Sequence, residues 1–124
     1  MKLVDSVGWV EYLSGGTAAD AYYEHLRDAG QIITPSIVLY EVYKRVLRDA
    51  DRRSAAIAAA QIMKTNVVEL DSALAVSAAE CSLKFKLPMA DAIIYATALS
   101  CGVDVVTSDN HFAGLPGVIF VDKR

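Results

Sequence analysis

The sequence predicts a three-layer α/β/α fold around a central, mostly parallel sheet. Short runs rich in β-branched residues alternate with longer segments of helical period, which is the pattern of βαβ units. Residues 103–107 are apolar enough for a strand covered on both faces, as parallel strands are. No linker, internal repeat or low-complexity tract interrupts the pattern, so residues 1–124 are expected to form one domain.

Leu3 and Val4 start the first strand, and Asp5-Ser6 turns it into a helix. That helix carries Val7, Val10 and either Trp9 or Leu13 at helical spacing, and Gly15-Gly16 stops it. Thr17 is expected to cap the next helix, with Ala18, Ala21, Tyr22 and Leu26 on its buried side and Gly30 at its end. Residues 31–34 form the second strand. Pro35 then suits the first position of a helix bearing Ile37, Val38, Tyr40, Glu41, Val42 and Val46. A charged break at 49–54 precedes an Ala-rich helix over 54–64. A third strand covers 67–70, and Asp71-Ser72 opens a helix reaching about Lys86. Pro88 opens another, with Ala90, Ile93, Ile94, Thr97 and Ala98 buried and Gly102 closing it. Strands at 103–107 and 118–121 complete the chain.

Composition removes several classes of function. A net charge of −3 excludes a uniformly basic nucleic-acid sleeve, so any polyanion site must be local. Cys81 and Cys101 are too few and isolated for a disulfide scaffold or a zinc set, and reduced thiols are expected. His25 and His111 are the only histidines. They give no His-rich metal site, and they leave His111 as nearly the only base for a Ser-His-Asp triad. Asp5 and Glu11 interrupt the apolar start, and no apolar run is long enough to span a membrane. A soluble, cytoplasmic protein is expected.

Four acids stand out. Open parallel sheets place their sites at the carboxyl ends of strands. Asp5 follows the first strand and Asp109 the fourth, so both are expected on one edge. Ser6 and Ser108 stand beside them to hold waters or orient carboxylates. Glu41 lies inside a helix, on a face with Ile37 and Val38. Asp91 lies in the first turn of the helix in LPMADAIIYA, amid apolar neighbours.

Each acid also has a local structural explanation. Asp91 complements the helix dipole, worth about 0.3–1 kcal/mol. Glu41 precedes Arg45 by four, a helix pair worth roughly 0.2–0.5 kcal/mol. Asp5 and Asp109 suit caps of the adjoining helix or turn. Convergence is another matter, because two carboxylates about 4 Å apart repel by roughly 4 kcal/mol at an effective dielectric near 20. A fold holds such a cluster with a cation or with shifted pKa values. Oxygen ligands alone suit Mg²⁺ or Mn²⁺, which activates water and shields phosphate charge.

The segments LVDSVGWVEYL, ITPSIVLYEVYKRV, LPMADAIIYATAL and VVTSDNHFAGLPGV resemble, in that order, the PIN-domain ribonucleases. The resemblance covers essentially the whole chain and is specifically to the VapC-type toxins of toxin–antitoxin pairs. DAIIYATAL and TSDNHF are its most specific pieces. It implies acidic ligands at Asp5, Glu41, Asp91 and Asp109, a small hydroxyl residue at Ser6 and a supporting hydroxyl at Thr107. It further implies a PIN fold, Mg²⁺- or Mn²⁺-dependent endonucleolytic cleavage of RNA, a homodimer, and neutralisation by a VapB-type antitoxin. On that reading Asp91 faces a shared metal pocket.

Other features carry two readings each. Lys44, Arg45, Arg48, Arg52 and Arg53 either hold RNA phosphates or form a solvated helix face. Trp9, Tyr12, Leu13, Tyr40 and Tyr43 either line an antitoxin groove or pack in the core. Competing functions are an RNA-processing PIN nuclease that is no toxin and a non-catalytic partner-binding α/β module. A phosphoacceptor domain is a further rival, but it needs a Lys at a later strand end, where Ser108 and Asp109 stand instead.

Overall fold

The computed structural model describes residues 1–123. The chain begins β1 (Lys2–Val4), α1 (Ser6–Leu13), α2 (Ala19–Leu26), β2 (Ile32–Pro35), α3 (Ser36–Asp49) and α4 (Arg52–Met63). It continues β3 (Asn66–Val68), α5 (Ser72–Phe85), α6 (Met89–Cys101), β4 (Asp104–Thr107) and β5 (Val118–Phe120). The strands form one sheet in the order β3-β2-β1-β4-β5, and every neighbouring pair is parallel. Helices cover the sheet in a three-layer α/β/α arrangement, as the sequence predicts.

Winding reverses at β1. The chain steps outward from β1 to β2 and β3, then crosses back to lay β4 on the other side of β1. Connections leaving β1 and β4 therefore diverge, which opens a crevice beyond their carboxyl ends. Leu3 pairs with Val105 and Val4 with Val106, so Asp5 and Thr107 reach that rim at one level.

Local chemistry sets the starts of α1, α4 and α5. Asp5, Asp51 and Asp71 each sit in extended backbone, and their carboxylates accept the backbone N–H of Gly8, Ser54 and Leu74. Gly102, at φ 66°, ends α6 in the left-handed region. Residues 92–98 of α6 are buried all round, which marks a core helix. Leu3, Val4, Ile32, Val38, Val42, Ile62, Val105, Val106 and Phe112 form the solvent-free centre.

Four local expectations fail. Thr17 does not cap α2. The cap residue is Ala18, whose N–H donates to Glu11 Oε1 at 3.0 Å, because Glu11 reaches across from α1. Ala21 is exposed, and α2 ends at Leu26, well before Gly30. Pro35 stands one residue ahead of the first helical position, since the sheet claims it as the end of β2.

Gly8 is required where α1 meets α2 and β1. A Cβ there would collide with the Tyr22 ring and lie 2.7 Å from Val4 Cγ1. Tyr22 has no room to yield, being fully buried with its hydroxyl 2.6 Å from Ser108 Oγ. Gly8→Ala is expected to destabilise the fold by about 1–2 kcal/mol. Overpacking of about 1–3 kcal/mol outweighs a helix-propensity gain of up to ~1 kcal/mol. Urea unfolding checks this, and a midpoint at or above wild type contradicts it.

Candidate active site

Asp5 ends β1 and is 2% exposed. Its Oδ1 accepts the Gly8 N–H at 3.0 Å, and its Oδ2 accepts the Thr107 hydroxyl at 2.5 Å. Thr107 Oγ1 in turn accepts the Asp109 N–H at 2.9 Å. One hydroxyl thus joins the ends of β1 and β4. Asp109 Oδ1 accepts the backbone N–H of His111 at 2.9 Å, opening a 3-10 turn over Asn110–Phe112. Asp5 thus caps α1 and Asp109 caps the 3-10 turn, beyond the carboxyl ends of β1 and β4.

The other two acids arrive on helices. Asp91 stands in the first turn of α6, with Oδ2 2.8 Å from His111 Nδ1. The same nitrogen lies 3.1 Å from Asp109 Oδ1. Asp91, Asp109 and His111 each bring one ligand atom to within 4.8 Å of the others. Glu41, on α3, is half-buried, and its Oε1 is buried without a hydrogen-bond partner. Ser6 lines the same cleft as Glu41, and its hydroxyl favours the charged form of that carboxylate.

Electrostatics report the convergence. Burial pushes the Asp5 carboxyl up to about 7, against the pull of Thr107 and Gly8, and Asp109 and Asp91 add repulsion. Burial pushes Asp91 up to about 6, with Asp109 adding to the rise and His111 opposing it. Glu41 also rises, by burial first and by Asp109 after that. The nearby Asp109 charge raises the imidazole of His111. Asp5, Glu41 and Asp91 are therefore each within electrostatic reach of Asp109.

Several neighbours take other roles than the sequence suggests. Glu41 forms no helix pair with Arg45, because Arg45 Nε binds Asp49 at 2.9 Å and Arg48 Nε binds it at 2.8 Å. Ser108 orients no carboxylate, being engaged by Tyr22. Lys44, Arg45 and Arg48 line a cleft of about 350 Å³ with Ser6, Tyr40 and Glu41, so these basic residues stand beside Glu41. Trp9 belongs to the core, whereas Tyr40 is exposed with Lys44 Nζ 5.6 Å from its ring centroid. His111 is the site neighbour that sequence reasoning missed. Its one available signal is its position two residues after Asp109, where the turn brings its ring nitrogen back to that carboxylate.

The donor set fits a hard divalent cation. It is rich in carboxylate oxygen, it holds buried carboxylates that lack compensating cations, and Glu41 Oε1 is left without a partner.

Fold and crevice define a doubly wound α/β protein with an acidic pocket at its switch of winding. The PIN domain family matches residues 2–118, and the chain belongs to that family. Similar solved structures include a toxin–antitoxin complex from Klebsiella pneumoniae, with TM-score 0.81, 24% identity and 96% of each chain covered. The sarcin–ricin loop cleaving toxin VapC20 of Mycobacterium tuberculosis is similar at TM-score 0.78 and 20% identity, covering 100% of this chain and 99% of that one. DNA-bound VapBC from Salmonella typhimurium is similar at TM-score 0.76 and 18% identity, with 98% of each chain covered. These likenesses establish the fold. No curated protein matches the chain. Among the described residues, no helix is long and apolar enough to cross a membrane.

A raised carboxyl pKa means that folding favours the protonated form. The stability contributed by Asp5 and Asp91 is full below their ordinary value of 3.8 and is lost as pH rises through about 6 for Asp91 and about 7 for Asp5. In chelator-treated buffer, the melting temperature is expected to fall from about pH 5 to about pH 7.5, with Asp91→Asn showing a smaller fall. Parallel thermal melts of both proteins check this. Identical profiles contradict it.

Proposed function

We propose that this chain is a divalent-metal-dependent endoribonuclease and the toxin of a toxin–antitoxin pair, with residues 1–124 acting as one PIN domain. What supports the proposal is the electrostatic coupling of acids from four separate segments through Asp109, near the switch of winding, in a chain of the PIN family. Asp5, Asp91 and Asp109 would hold Mg²⁺ or Mn²⁺, and Glu41 would ligate it or orient the attacking water. A bound cation supplies Lewis acidity, making water a better nucleophile and shielding phosphate charge.

The chain's own residues do the positioning. Thr107 fixes the Asp5 carboxylate and the Asp109 backbone with one hydroxyl, and Gly8 holds the other Asp5 oxygen. Ser6 orients Glu41. Lys44 and the Asp49-tethered Arg45 and Arg48 give RNA phosphates a positive wall beside Glu41.

Toxin–antitoxin complexes and a sarcin–ricin loop cleaving toxin among the structural neighbours support the toxin role and a VapB-type antitoxin partner. An apolar groove of about 480 Å³, lined by Val10, Leu13, Val46, Ile57 and Ala58, suits the apolar face of an antitoxin segment. It meets the basic cleft at Val10 and Arg45, so one partner segment can cover both. A cytoplasmic homodimer completes the proposal.

Asp91→Asn is expected to abolish RNA cleavage while the circular dichroism spectrum stays that of the wild type. Cleavage at wild-type rate by the purified variant, in a preparation free of contaminating nuclease, refutes the assignment. Inducing the wild-type chain alone in bacteria is expected to arrest growth. Normal growth at verified soluble expression removes the toxin half of the proposal.

A further inference from the structure

We propose that His111 is a nitrogen ligand of the acidic pocket, so that the site is not an all-oxygen one and discriminates in favour of Mn²⁺ over Mg²⁺. The inference rests on the metal-dependent reading above and adds a residue and a selectivity to it.

Geometry carries it first. His111 Nδ1 lies 2.8 Å from Asp91 Oδ2 and 3.1 Å from Asp109 Oδ1. Two donors at right angles, each 2.0–2.2 Å from one ion, stand about 2.8–3.1 Å apart. His111 Nδ1 stands at those separations from both carboxylates.

The ring is also held by its own backbone. Asp109 Oδ1 accepts the His111 N–H at 2.9 Å, and this closes the 3-10 turn that brings Nδ1 back toward Asp109. Phe112, wholly buried, anchors the next residue. The imidazole is thus placed by a short loop fixed at both ends, although the side chain itself is 58% exposed.

Chemistry turns placement into selectivity. Mn²⁺ shares the oxygen preference of Mg²⁺ but, as a first-row transition metal, also accepts a nitrogen donor, whereas Mg²⁺ takes oxygen and keeps its waters. A pocket of carboxylates with one imidazole therefore gains affinity for Mn²⁺ without gaining it for Mg²⁺. The opposite role also fits the distances: the imidazole would stand in for the cation and leave when it binds. Binding measurements separate the two roles, since a ligand helps the ion and a stand-in competes with it.

The test uses metal-stripped full-length wild type, His111→Ala and Asp109→Asn, titrated calorimetrically with Mg²⁺ and with Mn²⁺. His111→Ala is expected to weaken Mn²⁺ binding by about tenfold or more while leaving Mg²⁺ binding within about twofold. Electron spin-echo spectra of the Mn²⁺-loaded wild type are expected to show coupling to isotopically labelled histidine nitrogen, and His111→Ala to lose it. Unchanged Mn²⁺ affinity, tighter binding of both ions by His111→Ala, or no nitrogen coupling in the wild type overturns the proposal. Loss of Mn²⁺ binding in Asp109→Asn alone overturns the His111 ligand while sparing the metal-dependent reading. A wild type that binds neither ion overturns both.

Discussion

The hydroxyl of Thr107 is the joint on which the site depends. It donates to the Asp5 carboxylate at the end of β1 and accepts from the backbone of Asp109 beyond β4. A hydroxyl suits the position because it donates and accepts at once. A β-branched residue suits it because χ1 is stiff. An apolar side chain of the same shape would leave two buried polar groups unpaired, at about 1–3 kcal/mol each. The sheet supplies the register that makes the joint possible, since Val4 pairs with Val106 and the two chains leave together.

Around that joint the fold accepts a local instability. Asp5, Asp91 and Glu41 are all pushed above the ordinary carboxylate range by burial, and each is raised further by another acid of the set. Among the described residues, no arginine or lysine of the neighbourhood relieves them by an ion pair. Arg45 and Arg48 pair with Asp49 instead, and His111 is the basic side chain paired with Asp91 and Asp109 among the described residues. Places where a protein breaks its own rules of charge pairing are places where function is to be sought. Here the broken rule is the crowding of like charge at the mouth of a parallel sheet.

The acids are also held on rigid supports, which lets the pocket be preorganised. Asp91 rides on α6, which is buried through residues 92–98 and pinned by Tyr95, whose hydroxyl donates to the Pro116 carbonyl at 2.6 Å. Tyr95 packs edge-on against Phe85 and lies beside Phe112, so α6 and the turn bearing His111 share one aromatic cluster. Glu41 projects from the same helix whose Val38 and Val42 fill the core. Movement of any one acid would disturb packing well beyond it.

The order of elements, the parallel sheet and the placing of Asp5 and Asp109 after neighbouring strands were legible in the sequence. The elements were legible because hydrophobic period and capping are local: Asp71 before Ser72, and Gly102 after α6, act within a turn of themselves. The expectation that the acids meet came from strand ends and from the PIN resemblance; the structure brings Asp91 and Asp109 together and couples Asp5 and Glu41 to Asp109 electrostatically. Only the tertiary structure decided which partner each polar group takes. Glu11 rather than Thr17 serves the start of α2, Arg45 prefers Asp49 to Glu41, Tyr22 claims Ser108, and His111 folds back on Asp109 and Asp91. Most of these are choices between competing partners brought close in space. Local pattern names the candidates, and three-dimensional distance selects among them.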